Sequence, residues 1–394
     1  MLSGKCRCPG GDGLSPWNMR FPEDVPQLAD DLVRLRAHRA DDLDDLYLLC
    51  QDPAMQRWTV IPVPYQRSDA EFFLSELVPN GWRAEHGERA LAIEVDGRFS
   101  GSVSLHGGEG GVGEVGFSVA PWVRGRGVMT RAARLAIRYA FDELGWQRVI
   151  WRAYVGNWAS RRVAWKLGFR GLVVVPGEGL ARGVRYDDWV ATLARDEEMA
   201  PQGNWWAVPE LDGGTFKLRA FRPTDAQRVQ EACNDERTQY WLAGLPAPYT
   251  LDDAKGFIEG RLENAASGEG VSFAIADPVT DELLGCVSLY DLNNRLNKGH
   301  GEIGYWMHPA GRGRKVMTNA VRLLVDHAFT PIDAGGLGRS RLLLLAAVEN
   351  TASVRVAEAN GMHRIGIARA EGPTRDRPRD DSVMFDLLVT DPRP

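Results

Sequence analysis

Gly113-Glu114-Val115-Gly116-Phe117-Ser118-Val119-Ala120-Pro121-Trp122-Val123-Arg124-Gly125-Arg126-Gly127-Val128-Met129-Thr130 is the stretch on which the fold turns. Val115, Phe117 and Val119 alternate with Gly116 and Ser118, which is the period of a strand. After Pro121 and the Arg-Gly cluster, Met129, Ala133, Ala136, Ile137, Ala140, Phe141 and Leu144 recur at helical spacing until Gly145 stops them. A strand, a glycine-arginine turn and a helix together suit an anion. The helix start presents unpartnered N–H groups and the positive end of its dipole, and glycines carry no Cβ to hold a phosphate away. Arg124 and Arg126 add charge. The plainer alternative is a tight turn beside solvent-facing arginines. No Gly-Lys-Ser/Thr follows and the glycine spacing is not that of a dinucleotide fingerprint, so those two phosphate loops are excluded.

The same stretch recurs as Gly301-Glu302-Ile303-Gly304-Tyr305, Pro309 and Arg312-Gly313-Arg314-Lys315-Val316-Met317-Thr318. Upstream, Leu35-Arg36-Ala37, Arg39, Asp42, Cys50, Trp58 and Pro64-Tyr65 recur as Leu218-Arg219-Ala220, Arg222, Asp225, Cys233, Trp241 and Pro248-Tyr249. Downstream, Asn157, Ser160, Arg162 and Leu167-Gly168-Phe169 recur as Asn350, Ser353, Arg355 and Asn360-Gly361-Met362. Three ordered blocks make an internal repeat. The 394 residues therefore divide into a flexible leader (1–27), one domain (28–195), a linker (196–214) and a second domain (215–394). Trp205 and Trp206 interrupt the polar linker, either as a tether packed on one domain or as a lid facing substrate.

Composition narrows the partners. Lys and Arg total 47 against 53 Asp and Glu, a formal charge of -6, which disfavours a nucleic-acid coat. No apolar run is long enough to span a bilayer, and residues 1–20 lack a secretory core, so no membrane partner and a cytoplasmic location are expected. The five cysteines are odd in number and form no paired Cys-x-x-Cys motifs, and no His-x-x-x-His or carboxylate cluster suggests a metal. Cys6 and Cys8 remain a weak soft-metal pair, while Cys50 and Cys233 read as buried thiols on amphipathic helices. Helix 42–50, strands 90–95 and 100–105 joined by Asp96-Gly97, strand 149–155, helix 157–166 and final strands 169–175 and 189–193 complete the first unit.

Arg124-x-x-Gly127-x-Met129, followed by Asn157-x-x-Ser160 and Leu167-Gly168-Phe169, resembles the Gcn5-related N-acetyltransferase (GNAT) superfamily over essentially both halves. Within it, the resemblance is especially to the branch that includes ribosomal-protein N-terminal acetyltransferases. The resemblance implies an α/β chain (α+β by some schemes) of two tandem domains. Each would have a mixed, mostly antiparallel, twisted sheet of about seven strands with helices on both faces. It implies acetyl-CoA or another short acyl-CoA as cofactor, its diphosphate held by Arg124, Gly125, Arg126, Gly127, Val128 and Met129. Met129 departs from the family's small last residue. In the second copy Lys315 replaces the key glycine, so the N-terminal domain is expected to be active and the C-terminal domain degenerate.

The family's splayed strands would hold the pantetheine, with the thioester carbonyl on a backbone N–H near Ser118 or Val119. Glu114 shares a strand face with Gly116 and Ser118 and is the expected general base, the alternative being a local ion pair with an arginine. Asn157 is expected to bridge the strand end, a water and the pantetheine, or to cap a helix, or both. Ser160 is the expected acid for the leaving sulfur. Acceptor walls would come from residues 58–65, 72–83 and 176–185, including Trp58, Tyr65, Trp82 and Glu114, and in the second copy from 241–249 and 372–381. The expected acceptor is a small-molecule primary amine, such as an antibiotic or metabolite. A protein N-terminus and a non-catalytic acyl-CoA or metabolite sensor are the alternatives. A monomer or a homodimer fits equally.

Overall fold

The computed structural model describes residues 25–84, 87–107, 109–372 and 380–393. The chain divides into two units, Met1–Gln202 and Gly203–Pro394. Most of the leader, Cys6, Cys8, Glu85, His86 and residues 373–379 of the second acceptor wall lie outside the described residues.

The N-terminal unit has strands β1 (Leu28–Ala29), β2 (Arg34–Arg36), β3 (Arg89–Val95), β4 (Arg98–Gly107), β5 (Val112–Val119), β6 (Arg148–Tyr154), β7 (Arg170–Ala181) and β8 (Val184–Ala194). They form one sheet of order β1-β2-β3-β4-β5-β6-β8-β7, antiparallel throughout except for the parallel pair β5–β6. Its helices are α1 (Leu43–Cys50), α2 (Pro53–Trp58), α3 (Arg67–Phe72), α4 (Val78–Arg83), α5 (Val128–Asp142) and α6 (Trp158–Lys166). A single π turn, Phe73–Leu77, carries α3 into α4.

The C-terminal unit repeats this with β9 (Leu211–Asp212), β10 (Lys217–Arg219), β11 (Val271–Ala276), β12 (Leu283–Tyr290), β13 (His300–Met307), β14 (Arg341–Ala347), β15 (His363–Gly372) and β16 (Asp380–Leu388). The order is β15-β16-β14-β13-β12-β11-β10-β9, and β13–β14 is the parallel pair. Its helices are α7 (Ala226–Asn234), α8 (Glu236–Trp241), α9 (Leu251–Ser267), α10 (Val316–Phe329) and α11 (Thr351–Ala359). Each unit thus has eight strands where about seven were expected, the addition being a two-residue edge strand, β1 or β9.

Local chemistry sets these elements. Asp96 and Gly97 both take left-handed dihedrals (φ 51° and 79°), so they form the tight hairpin that joins β3 to β4. On α5, Val128, Met129, Ala132, Ala133, Ala136, Ile137, Ala140 and Phe141 are buried, and its alanines let it lie close on β4 and β5. Burial of Ile137 and Phe141 contributes about 1.5–3 kcal/mol each. Gly168 ends α6 with φ 81°, and a Cβ there would stand 2.6 Å from the carbonyl oxygens of both Glu198 and Ala200. That glycine lets residues 198–200 strap across the end of the helix. Trp206 is buried in the C-terminal unit, its indole N–H donating to Gly268 O at 2.9 Å, which is the tether rather than the lid.

One expectation needs correction. Residues 176–185 were expected to form a loop between the final strands, but β7 and β8 run on into a long hairpin turning at Arg182-Gly183. Gly177 and Gly179 fall where the β7–β8 register shifts between Val175 and Gly179.

Candidate functional site

The parallel strands part in each unit. β5 and β6 pair only from Val112↔Arg148 to Val115↔Trp151, leaving Gly116 to Val119 without a partner on that side. Ser118 and Val119, expected to receive the thioester carbonyl, lie in this unpaired part. In the second unit pairing stops at Glu302↔Leu343.

The turn that follows has the same backbone in both copies. Gly125 and Gly127 have φ 79°, and Gly313 has φ 79°. Lys315 holds φ 57° and ψ 12°, the left-handed conformation of Gly127 (φ 79°, ψ 3°), and both residues cap their helix. The first bonds of the two helices are Arg131 N–H to Gly127 O at 3.2 Å and Asn319 N–H to Lys315 O at 3.1 Å. The N–H groups before them have no helical partner. A Cβ built on Gly125, Gly127 or Gly313 meets nothing within 4 Å, so the mouth of the turn has room for an anion. Val128 and Met129 turn into the core, so the methionine that departs from the family pattern leaves the mouth clear. A left-handed lysine is strained by roughly 1–2 kcal/mol. Lys315→Gly is therefore expected to raise unfolding stability by about 1 kcal/mol. Urea titration checks this, and an unchanged or lower midpoint would show the strain to be relieved elsewhere.

The arginines of the turn are engaged by protein. Arg124, expected on a phosphate, donates from Nη2 to Asp52 Oδ2 at 2.6 Å and to Val119 O at 3.3 Å. Asp52 caps α2 by accepting the Met55 N–H at 3.0 Å, and the Arg124 bond holds its carboxyl below the ordinary range. The second copy repeats the latch. Arg312 pairs with Asp235, the cap of α8, and donates to Thr238 Oγ1 at 3.1 Å and Met307 O at 3.2 Å. Arg126 pairs with Asp96 at 3.0 Å on the surface.

The expected base is also paired. Arg152 lies two residues beyond Ile150, the β6 partner of Glu114, and so shares its face. It donates to Glu114 Oε2 at 2.9 Å and to Glu178 Oε1 at 3.2 Å. Of the two readings of Glu114, the local ion pair is the one formed here. Beside it Asp188, which sequence reasoning missed, is 6% exposed with Oδ1 unpartnered. Burial pushes its carboxyl up, and the charges of Glu178 and Glu114 add to that while Arg152 opposes it. Only the pairing Tyr154↔Asp188 brings it here, and no local motif marks it.

Asn157 caps α6, its Oδ1 accepting the Ser160 N–H at 3.2 Å. The Ser160 hydroxyl accepts the indole N–H of Trp151 at 3.0 Å. Trp58 ends α2 and comes close to the turn after β6, since a Cβ on Gly156 would stand 3.3 Å from its ring. Two expected wall residues make structural contacts. Tyr65 is 6% exposed and packs in the core beside Cys50. The Trp82 indole N–H is taken by Ala90 O at 2.9 Å, pinning α4 to β3. Cys50, Cys233 and Cys286 are buried thiols pushed up to about 11, 12 and 11.

In the C-terminal unit the parted strands open into a cleft of about 450 Å³, lined by Glu302, Tyr305, Lys315, Leu345, Asn350 and Ser353 among others. Leu345 stands where Arg152 stands in the first copy, two residues past the partner of the glutamate. Among the described residues no cation acts on Glu302. Loss of hydration, then the charges of Asp291 and Glu371, push its carboxyl up although the side chain stays accessible. Across the cleft, Tyr305 OH and Ser353 Oγ are 2.7 Å apart, and burial pushes the phenol up to about 12. Phe117 occupies the Tyr305 position in the first copy.

No group of three or more metal-ligating side chains occurs among the described residues, and no helix among them is long and apolar enough to cross a membrane. The model of the acetyltransferase (GNAT) domain matches residues 33–170 and again 215–363. The chain is 32% identical over 168 residues to "Probable N-acetyltransferase YjcK" of Bacillus subtilis, covering 40% of this chain and 86% of that protein. It is 34% identical over 174 residues to "Putative ribosomal N-acetyltransferase YdaF" of the same organism, covering 43% and 90%. Among solved structures, Mycobacterium smegmatis RimJ in complex with CoA-disulfide is 20% identical with a TM-score of 0.40, covering 46% of this chain and 86% of that one. With the domain model matched in both halves, the chain belongs to the GNAT acetyltransferases, as a tandem-domain N-acetyltransferase that uses acetyl-CoA.

Proposed function

We propose that the protein transfers the acetyl group of acetyl-CoA to a primary amine of a small molecule that arrives as a cation. The observation that carries this is the group of carboxylates at one parting of the strands. Glu302 stands with Asp291 and Glu371, whose charges add to burial in pushing its carboxyl up, and among the described residues no cation offsets them. Such a field attracts an ammonium. Trp241 and Trp306 line the same cleft and offer apolar, π-rich surface to its body. In the first unit Glu114, Glu178 and Asp188 gather around the single guanidinium of Arg152.

A second reading, acetylation of a peptide N-terminus, draws support from the relative named as a ribosomal N-acetyltransferase. On glycine content alone, the N-terminal unit would be the active copy and the C-terminal unit the degenerate one. That asymmetry loses support from the shared left-handed backbone at Gly127 and Lys315.

Thiol release from acetyl-CoA, screened over small cationic amines and over peptides with free N-termini, tests the reading. Release is expected with the amines. Release with peptides alone favours the second reading. No release above hydrolysis with either would leave a protein that binds acyl-CoA or a metabolite without turnover, and would sink both.

A further inference from the structure

We propose that acetyl transfer in this chain takes place in the C-terminal unit, with Glu302 accepting the amine proton and Tyr305 holding the leaving sulfur. The inference rests on the N-acetyltransferase reading above and decides which copy carries it out. Three differences between the copies support it. Arg152 occupies Glu114 at 2.9 Å, whereas Leu345 stands in its place beside Glu302. A guanidinium bonded to a carboxylate opposes its taking up a proton, and among the described residues no cation acts on Glu302. Phe117 has no hydroxyl, whereas the Tyr305 hydroxyl lies 2.7 Å from Ser353 Oγ in the cleft. Lys315, the feature that marks this copy as degenerate, reproduces the left-handed turn and adds a cation at its mouth.

The faces of the sheet give the chemistry its direction. Glu302 and Tyr305 are three residues apart on β13, so their side chains leave opposite faces of the strand. The gap beyond Glu302↔Leu343 joins those faces. An amine on the Glu302 side and a thioester on the Tyr305 side meet at one carbon through that gap. Acetyl-CoA is consumed and is a substrate of the step. Glu302 takes one proton from the bound ammonium and passes it to water; the neutral nitrogen then forms a bond to the carbonyl carbon and gives its second proton to Glu302. The C–S bond then breaks with its electron pair left on sulfur, where Tyr305 donates a hydrogen bond. The thiolate takes its proton from water by way of Ser353, Glu302 returns its proton to water, and the products are the amide and CoA. A phenol pushed up to about 12 stays protonated at neutral pH and remains a donor throughout.

The test uses the full chain, acetyl-CoA and the best amine from the screen. Glu302→Gln is expected to lower kcat about a hundredfold or more, with KM for acetyl-CoA little changed. In the parent protein kcat/KM falls as pH drops through a pKa above the usual carboxylate value of about 4.3; Glu302→Gln loses that limb. Tyr305→Phe is expected to lower kcat about ten- to a hundredfold, the worth of a hydrogen bond to a charged group.

A readout independent of turnover accompanies it. Tyr305 favours the thiolate of bound CoA, so calorimetric CoA affinity tightens as pH rises from about 7 to 9, across the thiol's ordinary pKa. Tyr305→Phe flattens that dependence. If the parent turns over amines and Glu302→Gln does so within twofold, or if Glu114→Gln is the variant that removes activity, the placement is overturned while the function stands. If the parent turns over no amine, the function itself fails.

Discussion

Arg36→Ala destabilises the N-terminal unit by about 3–5 kcal/mol, and Arg219→Ala does the same to the C-terminal unit. Arg36 is the deepest cation of its unit, its side chain 4% exposed. It donates to Asp42 through Nη1 and Nη2, both at 2.8 Å, to Glu94 through Nε at 2.6 Å and to Ala37 O at 2.9 Å. Asp42 also accepts the Arg39 N–H at 2.8 Å. Arg219 makes the same fork to Asp225 and takes Asp281 in the place of Glu94. Removing the guanidinium strands a carboxylate that is 4% exposed, and an uncompensated buried charge costs more than the pair itself contributes. Replacing the whole triad by apolar residues, as Arg36→Met with Asp42→Leu and Glu94→Leu, is expected to cost far less. Urea unfolding decides it. A loss under about 1 kcal/mol for the single substitution would mean that Asp42 reaches water and that the network contributes little to stability.

The same network shows what a one-dimensional reading captures. Arg36, Asp42 and their copies stand out because they repeat, yet nothing local says that Glu94, on β3, completes the set in one unit and Asp281, in the turn between β11 and β12, in the other. The stretch from Val115 to Gly145 was legible because period, proline and glycine are local signals. Asn157 declared itself as a cap for the same reason. Tyr65 was misread because a tyrosine after a cis-capable Val-Pro looks like loop, and only packing against Cys50 makes it core. Glu114 reads as a base or as one side of a local ion pair, and the sequence does not choose between them. Its partner Arg152 is brought to it by the parallel register of β5 and β6, which sequence spacing does not encode. Lys315 poses the opposite difficulty. A glycine position filled by lysine reads as damage, but the backbone holds the required dihedral through neighbours that propensity does not weigh.

Substituting one of those neighbours has the second large effect. Arg312→Ala and Arg312→Lys are both expected to weaken CoA binding in the C-terminal unit, each by about tenfold. Arg312 bridges three elements, the end of β13 at Met307 O, the start of α8 at Asp235 and Thr238, and the turn it belongs to. Its hydrogen bond holds the Asp235 carboxyl below the ordinary range. The turn must keep Lys315 left-handed against roughly 1–2 kcal/mol of strain, and an unanchored turn would relax and turn its amides away from the phosphates. About 1.4 kcal/mol of such disorder is tenfold in affinity. The three bonds all leave Nη2, at the far tip of the guanidinium, and the shorter lysine side chain does not place its nitrogen there, so charge retention does not rescue it. Had Arg312 bound phosphate directly, lysine would keep most of the affinity, and the alanine loss would shrink as salt rises from about 0.05 to 0.5 M. Calorimetry with CoA at both salt concentrations separates the two. A latch gives equal losses for Ala and Lys with little change in salt dependence, and Arg124→Lys repeats the pattern in the first unit through Asp52.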